Sequence, residues 1–416
     1  MDFSDTPEEA AYRRQARTWL ESVAPRRSRT SARPAEDDWT DVLPAIRLWQ
    51  RTKYDAGYGA ISWPAVFGGQ GGTEMQEIIF QQEERHFDVP PAGGVATLAR
   101  LVLSAVRTFG SDAQRAAFMK AGLRADHVWC QLFSEPGAGS DLAGLRTAAR
   151  ADGLEWIIDG AKVWTTGGHT ADFGLLVARS NPDAPKHKGL TCFILDMKTP
   201  GVSVRPLKQM SGASNFNQVF FDGVRIPDDR RLGPVDQGWQ VAMSALSAER
   251  FSIASGRWPA DAVLELLDAA CQIDGGTALG DPAVRAQIAD VYVRALGAGN
   301  TVYRFMTALS RGEDPGPAAS GLKLVNALMH QEIASAAIDL MDQAGVISSS
   351  GHGIAAGGFH NAWLASPSAR IAGGTDEIQR SLIAERVLGL PGDIRVDRDI
   401  PFRASSPRGG DPPIRG

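Results

Sequence analysis

Three glycine-bearing runs hold the residues best suited to chemistry. The first is Gln131-Leu132-Phe133-Ser134-Glu135-Pro136-Gly137-Ala138-Gly139-Ser140-Asp141. A glycine-rich turn with Ser and Asp lets backbone N–H groups approach an anion such as a pyrophosphate. The second, Lys162-Val163-Trp164-Thr165-Thr166-Gly167-Gly168, places an aromatic ring and a hydroxyl at one strand end. The third, Ile371-Ala372-Gly373-Gly374-Thr375-Asp376-Glu377-Ile378-Gln379-Arg380, is a glycine-rich approach to a helix start. Taken singly, each reads as an ordinary turn. The seven histidines show no metal-ligand spacing, and only His169 adjoins one of these runs. Three cysteines (Cys130, Cys192, Cys271) cannot build a disulfide framework, and no CxxC or Cys/His cluster suggests zinc, so a reducing cytoplasm is the expected setting.

The elements that must position these runs change character twice along the chain. Thr6-Pro7-Glu8-Glu9 supplies an N-cap, a proline at the first helical position and a capping-box glutamate. Tyr12, Ala16, Trp19, Leu20 and Val23 then recur at helical spacing. Further helix starts fall near Thr73 and at Gly110-Ser111-Asp112. From about Val128 the pattern turns strand-like. Asp159-Gly160 and Asp222-Gly223, each between β-prone runs, predict two hairpins. The apolar runs beginning at Phe173 and Leu190 have strand length. After Gly238 helices return, with Leu322, Val325, Met329, Ile333, Ala336 and Leu340 stepping by three and four. The spacing predicts an all-α domain over 1–127, a β domain over 128–236, a helical domain over 237–392 and a disordered Arg/Ser/Gly/Pro tail over 393–416.

A chain of 416 residues fits two or three domains. A formal net charge of −5, with no Lys/Arg run interleaved with aromatics, argues against nucleic acid as a partner. No stretch approaches the roughly 20 consecutive apolar residues of a membrane span. The N-terminus is acidic where a signal peptide would be basic.

Together, and in this order, the SEPGAGSD, KVWTTGG and GGTDEIQR runs resemble the signature of the acyl-CoA dehydrogenase family, from about residue 4 to 392. The resemblance implies an α+β fold: an N-terminal helical domain, a middle β-barrel-like domain and a C-terminal four-helix bundle. The IAERVLGLP ending at 383–391 is similar to a bacterial branch that includes enzymes acting on bulky and steroid side-chain thioesters. It implies FAD as cofactor. Gln131, Phe133 and Ser134 would line the isoalloxazine, with Gly139 and Ser140 at the pyrophosphate. Trp164 would cover the ring and Thr166 would bond near its reactive nitrogen. Thr375 and Glu377 would make contacts at the last helix. The implied activity is α,β-dehydrogenation of an acyl-CoA, or carrier-bound acyl, thioester in a tetramer, with an electron-transferring flavoprotein as acceptor.

In many members of the family the catalytic glutamate lies two residues before the threonine of the last motif, and here that position is Gly373. In isovaleryl, long-chain and some steroid enzymes it lies instead after the β domain, immediately before an arginine. Met243-Ser244-Ala245-Leu246-Ser247-Ala248-Glu249-Arg250 matches that pattern. The resemblance therefore makes Glu249 the base, Arg250 a pocket-ordering cation, and the Gly373 backbone N–H a donor to the thioester carbonyl, with room for a bulky or branched acyl group. Two features depart from the family. Its Arg-x-x-Phe-Gly pattern is missing between Ala270 and Ala283, and the turn that normally contacts adenosine reads Met341-Asp342-Gln343-Ala344-Gly345. These leave open a homotetramer, a heterotetramer with a related subunit, or a half-site subunit without catalysis. An oxygen-using oxidase or monooxygenase on the same fold is a further alternative.

Overall fold

The computed structural model describes residues 5–27, 39–90, 93–247, 259–311, 313, 319–347, 358–392, 394, 397 and 399–405. Five helices come first: α1 (Pro7–Val23), α2 (Trp39–Asp55), α3 (Glu74–Glu84), α4 (Gly93–Phe109) and α5 (Asp112–Leu123). Thr6, Thr73 and Ser111 each close a reciprocal capping box with the residue three on, which fixes where α1, α3 and α5 begin. The apolar α4 packs against both the following β domain and the helix beyond it.

The middle of the chain forms an eight-stranded sheet: β1 (Trp129–Leu132), β2 (Ala148–Asp152), β3 (Glu155–Thr166), β4 (Phe173–Arg179), β5 (Leu190–Asp196), β6 (Val202–Leu207), β7 (Phe216–Pro227) and β8 (Arg231–Leu232). Its order is β6-β7-β3-β2-β4-β5-β8, with β1 added parallel to β4. The continuous apolar runs of β4 and β5 follow from burial on both faces. Leu175, Val177, Cys192 and Ile194 enter one core shared with α4, while Leu176, Ala178, Phe193 and Leu195 enter a second, on the opposite face.

Neither predicted Asp-Gly hairpin exists. β3 and β7 each run twelve residues straight through their Asp-Gly pair, and the two pairs face each other at a shift in the antiparallel register. Asp159 Oδ1 accepts the Gly223 N–H at 2.8 Å. Gly160, at φ 146°, leaves no room for a side chain: a Cβ there would lie 2.6 Å from Thr147 Oγ1. The glycines serve a matched irregularity and a close strand approach, not a turn. The tight hairpin is one pair earlier, where Gly153 (φ 65°) and Leu154 connect β2 to β3.

The last layer comprises α6 (Gly238–Ser247), α7 (Pro259–Gln272), α8 (Pro282–Ser310), α9 (Ala319–Met341), α10 (Gly358–Ile371) and α11 (Asp376–Leu382). α9 lies against α7, α8, α10 and α11, burying Leu322, Met329, Ile333 and Ala336 from its predicted stripe, while Val325 faces outward. Of the segment expected to be a disordered tail, most lies outside the described residues; residues 399–405, ending in the helical turn α12 (Phe402–Ser405), dock on the β4–β5 connection through backbone and aromatic contacts.

Candidate active site

The structure brings the first two motifs together and places the third in the helical layer. Val163 N–H donates to Ser134 O at 2.9 Å, so the start of the glycine-rich loop lies directly against β3. Beneath this contact Lys162 and Glu135 form a buried ion pair of 2.8 Å, their side chains 0% and 8% exposed. Lys162 Nζ also donates to Phe133 O at 3.0 Å. Glu135 accepts the backbone N–H groups of Arg146 (2.7 Å) and Thr147 (2.8 Å). Burial works to raise the Glu135 pKa, but the charge and hydrogen bond of Lys162, with those N–H groups, outweigh it and hold the carboxyl below its usual range. For Lys162 burial prevails and lowers the pKa, with Glu135 opposing. The pair welds the two motifs, and sequence reading had passed over both residues.

Strand alternation explains what faces where. Trp156, Ile158 and Lys162 share the inward parity of β3 until the register shifts between Lys162 and Thr165. That shift turns Thr165 inward and leaves Trp164 outward, at φ 59° and 60% exposed, with its ring edge-on to Phe216 at 5.8 Å. A bulky residue at positive φ is strained, and strain of this kind collects at functional sites. Trp164 is thus no core residue, and most of its side chain is open to solvent. Thr166 ends β3 half-buried, paired with Phe216.

The surroundings fit a flat polar ligand with an anionic tail. Gln131 Nε2 and Thr165 Oγ1 are buried without a hydrogen-bond partner among the described residues, a state native interiors rarely tolerate. Around Gly137 and Gly139 an added Cβ would meet open space, so these glycines are not demanded by packing. Gly139 and Ser140 are exposed. Phe133 is different: it is 6% exposed, packed within the core, and its carbonyl already accepts from Lys162. The Gly167 turn is braced from α2, where a Cβ on Gly167 would lie 2.4 Å from the Trp39 ring. Asn215 O accepts the Gly167 N–H at 2.8 Å. His169 bonds Asn217 at 3.1 Å, and Asn217 in turn donates to Thr165 O at 2.9 Å. His169 therefore supports the strand end through Asn217. Cys130 and Cys192 are buried, which pushes both thiols up and makes them poor nucleophiles.

In the third motif Thr375 caps α11 by accepting the Ile378 N–H at 3.3 Å. Gly373 and Gly374 lie at φ 66° and 88°, where glycine is relaxed and a glutamate would not be. Gln379 donates to Gly373 O and Lys323 to Gly374 O, both at 2.7 Å. Arg370 grips the buried Asp376 from α10 at 2.6 Å. Glu377 is exposed at the helix start, where its own backbone N–H and the Thr375 hydroxyl hold its carboxyl below the usual range. The expected base, Glu249, and its neighbour Arg250 lie outside the described residues. Asp342 opens a 3₁₀ turn (Asp342–Val346) at φ 48°, a left-handed position better suited to glycine.

Comparison with known proteins agrees with this architecture. Acyl-CoA dehydrogenase N-terminal, middle and C-terminal domains match residues 6–126, 130–224 and 236–388. The chain is 36% identical over 384 residues to acyl-CoA dehydrogenase FadE34 of Mycobacterium tuberculosis; the match covers 92% of this chain but 51% of that protein, so the chain spans about half its length. It is 30% identical over 390 residues to acyl-CoA dehydrogenase IpdE1 of the same organism, covering 91% and 97% of the two chains. Among solved structures it superposes on the Tcur3481-Tcur3483 steroid ACAD with a TM-score of 0.81 at 25% identity, covering 94% of this chain and all of that one. The ChsE4-ChsE5 complex from M. tuberculosis gives 0.77 at 27%, with the same coverage. Among the described residues no helix is long and apolar enough to cross a membrane. Three matched domains in order, on a shared fold, place the chain in the acyl-CoA dehydrogenase family.

Proposed function

We propose that this chain is an FAD-dependent dehydrogenase that introduces an α,β-double bond into an acyl-CoA, or carrier-bound acyl, thioester, with Glu249 as the base. One observation carries the reading: two buried polar atoms, Gln131 Nε2 and Thr165 Oγ1, lack partners among the described residues, beside strands that the Glu135–Lys162 pair joins. Gln131, Ser134, Trp164 and Thr166, with the backbone at Phe133, would hold the flavin ring. Gly139 and Ser140 would take its pyrophosphate, and Thr375 and Glu377 would complete the contacts. When bound, the flavin would supply the acceptor for the β-hydrogen, leaving as hydride, with an electron-transferring flavoprotein as the proposed electron acceptor. Glu249 takes the α-proton, a task that needs a carboxylate in dry surroundings close to the α-carbon. The Gly373 N–H would polarise the thioester carbonyl, and the missing side chain there leaves space for a bulky or branched acyl group such as a steroid side chain.

A second feature bears on assembly. Asp342 would repel a pyrophosphate nearby, and the Arg-x-x-Phe-Gly pattern is absent. Both favour a tetramer in which a related subunit completes the ADP half of the site; the solved steroid ACAD and ChsE4-ChsE5 structures each name two components.

The test is the visible spectrum of the purified chain, before and after anaerobic addition of a panel of acyl-CoAs. The dehydrogenase reading requires a bound flavin that bleaches with one of them and stays oxidised in Glu249→Gln. A colourless chain that gains flavin only with a related subunit would support the shared site and end the solitary enzyme. Rapid aerobic reoxidation with peroxide would point to the oxidase alternative.

A further inference from the structure

The glycine-rich loop has anchors at both ends, and those at its far end belong to no part of the reaction proposed above. Arg179, at the end of β4, is 4% exposed and donates to the carbonyls of Ala143 (2.5 Å), Leu145 (3.3 Å) and Lys186 (2.8 Å). Lys186, on the β4–β5 connection, pairs with Asp141, the last residue of the loop, at 3.0 Å. The C-terminal segment engages both cations. Asp397 lies 2.6 Å from Lys186 Nζ, and the Phe402 ring covers the Arg179 guanidinium at 3.8 Å. The segment is registered on the same connection by Phe402 N–H to Ala184 O (2.9 Å), Arg403 N–H to Pro182 O (3.0 Å) and an Arg403–Asp183 ion pair.

We propose that Asp397 and residues 399–405 form a positioning strap: by covering Arg179 and pairing with Lys186, they fix the far end of the glycine-rich loop and so set its backbone for an anionic ligand. This rests on the reading of that loop as the flavin's pyrophosphate site. The physical case is one of preorganisation. Gly137 and Gly139 give the loop freedom and no side chains to hold it, so its geometry comes from its ends. Glu135 is locked from beneath by Lys162. The other end hangs on two cations, one of them deprived of water and stabilised by an aromatic face that, among the described residues, only the strap supplies. Burial pulls Arg179 down to about 10, the direction expected for a guanidinium that has lost its hydration.

Two measurements on the full chain test the strap: FAD titration by flavin fluorescence, and hydrogen exchange of the backbone amides within the segment 136–145. Phe402→Leu keeps apolar bulk without the ring, and Phe402→Tyr keeps the ring. The strap requires Phe402→Leu to weaken FAD binding about tenfold, the scale of one lost desolvated cation–π contact, and to speed exchange at 136–145, with Phe402→Tyr close to wild type. Asp397→Asn should shift both readouts the same way by a smaller factor, and it decides the matter should Phe402→Leu not fold. Unchanged affinity and exchange in Phe402→Leu would overturn the proposal. So would an equal fall in Phe402→Leu and Phe402→Tyr accompanied by a global loss of Tm. A wild-type chain that takes up no FAD, whether alone or with a related subunit, would instead sink the flavin reading. In that event exchange at 136–145 still decides the strap, faster in Phe402→Leu supporting it and unchanged overturning it.

Discussion

The glycine-rich loop of the β domain and the Gly373-Gly374 turn of the helical layer are both held by ion pairs, but of opposite kinds. Glu135 and Lys162 are 27 residues apart, join two separate motifs and are nearly sealed from water. Arg370 and Asp376 are six residues apart, close one turn onto its own helix start, and leave the arginine 39% exposed. In the first case the pair is a structural joint whose charges have no other partner of comparable strength. In the second it is a local brace that water can partly replace. The loop expected to meet a phosphate is therefore anchored by a pair sealed from water, and the turn expected to meet the substrate by a pair that water reaches on one side.

Breaking the buried joint is expected to have the largest effect. Lys162→Met or Glu135→Gln strands its partner in the core and should cost about 3–5 kcal/mol, read from denaturant unfolding. Replacing both residues by apolar ones, as Glu135→Leu with Lys162→Met, should recover most of that, because no unpaired charge remains. A double variant as unstable as the singles would show that the pair acts through more than its charges. The pH dependence sharpens the point. Glu135 titrates below its ordinary value in the folded chain. Its contribution is therefore complete above the unfolded carboxylate pKa and is lost as pH falls through the lower folded value. Wild type should lose stability on that acid limb, and the doubly apolar variant should lose less. Equal acid limbs in the two would remove Glu135 from the account.

The exposed brace should matter less. Arg370→Ala is expected to cost about 1 kcal/mol, since the arginine is 39% exposed and Lys323 remains 3.8 Å from the buried Asp376 to offset its charge. A loss as large as that of Lys162→Met would mean that the two anchors are equivalent and the contrast is false.

What could be read from the sequence divides along the same line. The capping box at Thr6 and the helix starts near Thr73 and Ser111 were legible because the signal and the bond span three residues. The Asp-Gly pairs were misread because each resembles a turn locally, and only their opposition across β3 and β7 shows that they form one irregularity. The Glu135–Lys162 joint is similarly non-local, although a trace of it was present. Lys162 falls on the inward parity of Trp156 and Ile158, and a lysine there requires a carboxylate. Nothing in the composition of the tail announced that Phe402 would find Arg179. The candidate flavin residues came from family motifs, and physics alone would not have separated them from turns.

The smallest effect on stability, and the sharpest separation of fold from function, is expected at Trp164. Its φ of 59° is unfavourable for any residue with a Cβ, by about 1–2 kcal/mol. Its ring is mostly exposed and touches Phe216 edge-on, a contact worth about 0.5–1.5 kcal/mol. Trp164→Gly removes the strain and the contact together, so the two nearly cancel and Tm should move by only a few degrees in either direction. Flavin affinity should nonetheless fall, because the ring face goes with the strain. A variant that loses several kcal/mol of stability would make Trp164 a packing residue after all. One that keeps both its stability and its flavin would leave the strained backbone at this position without a purpose, whereas stability retained with flavin lost is what a residue held in an unfavourable conformation for a ligand should give.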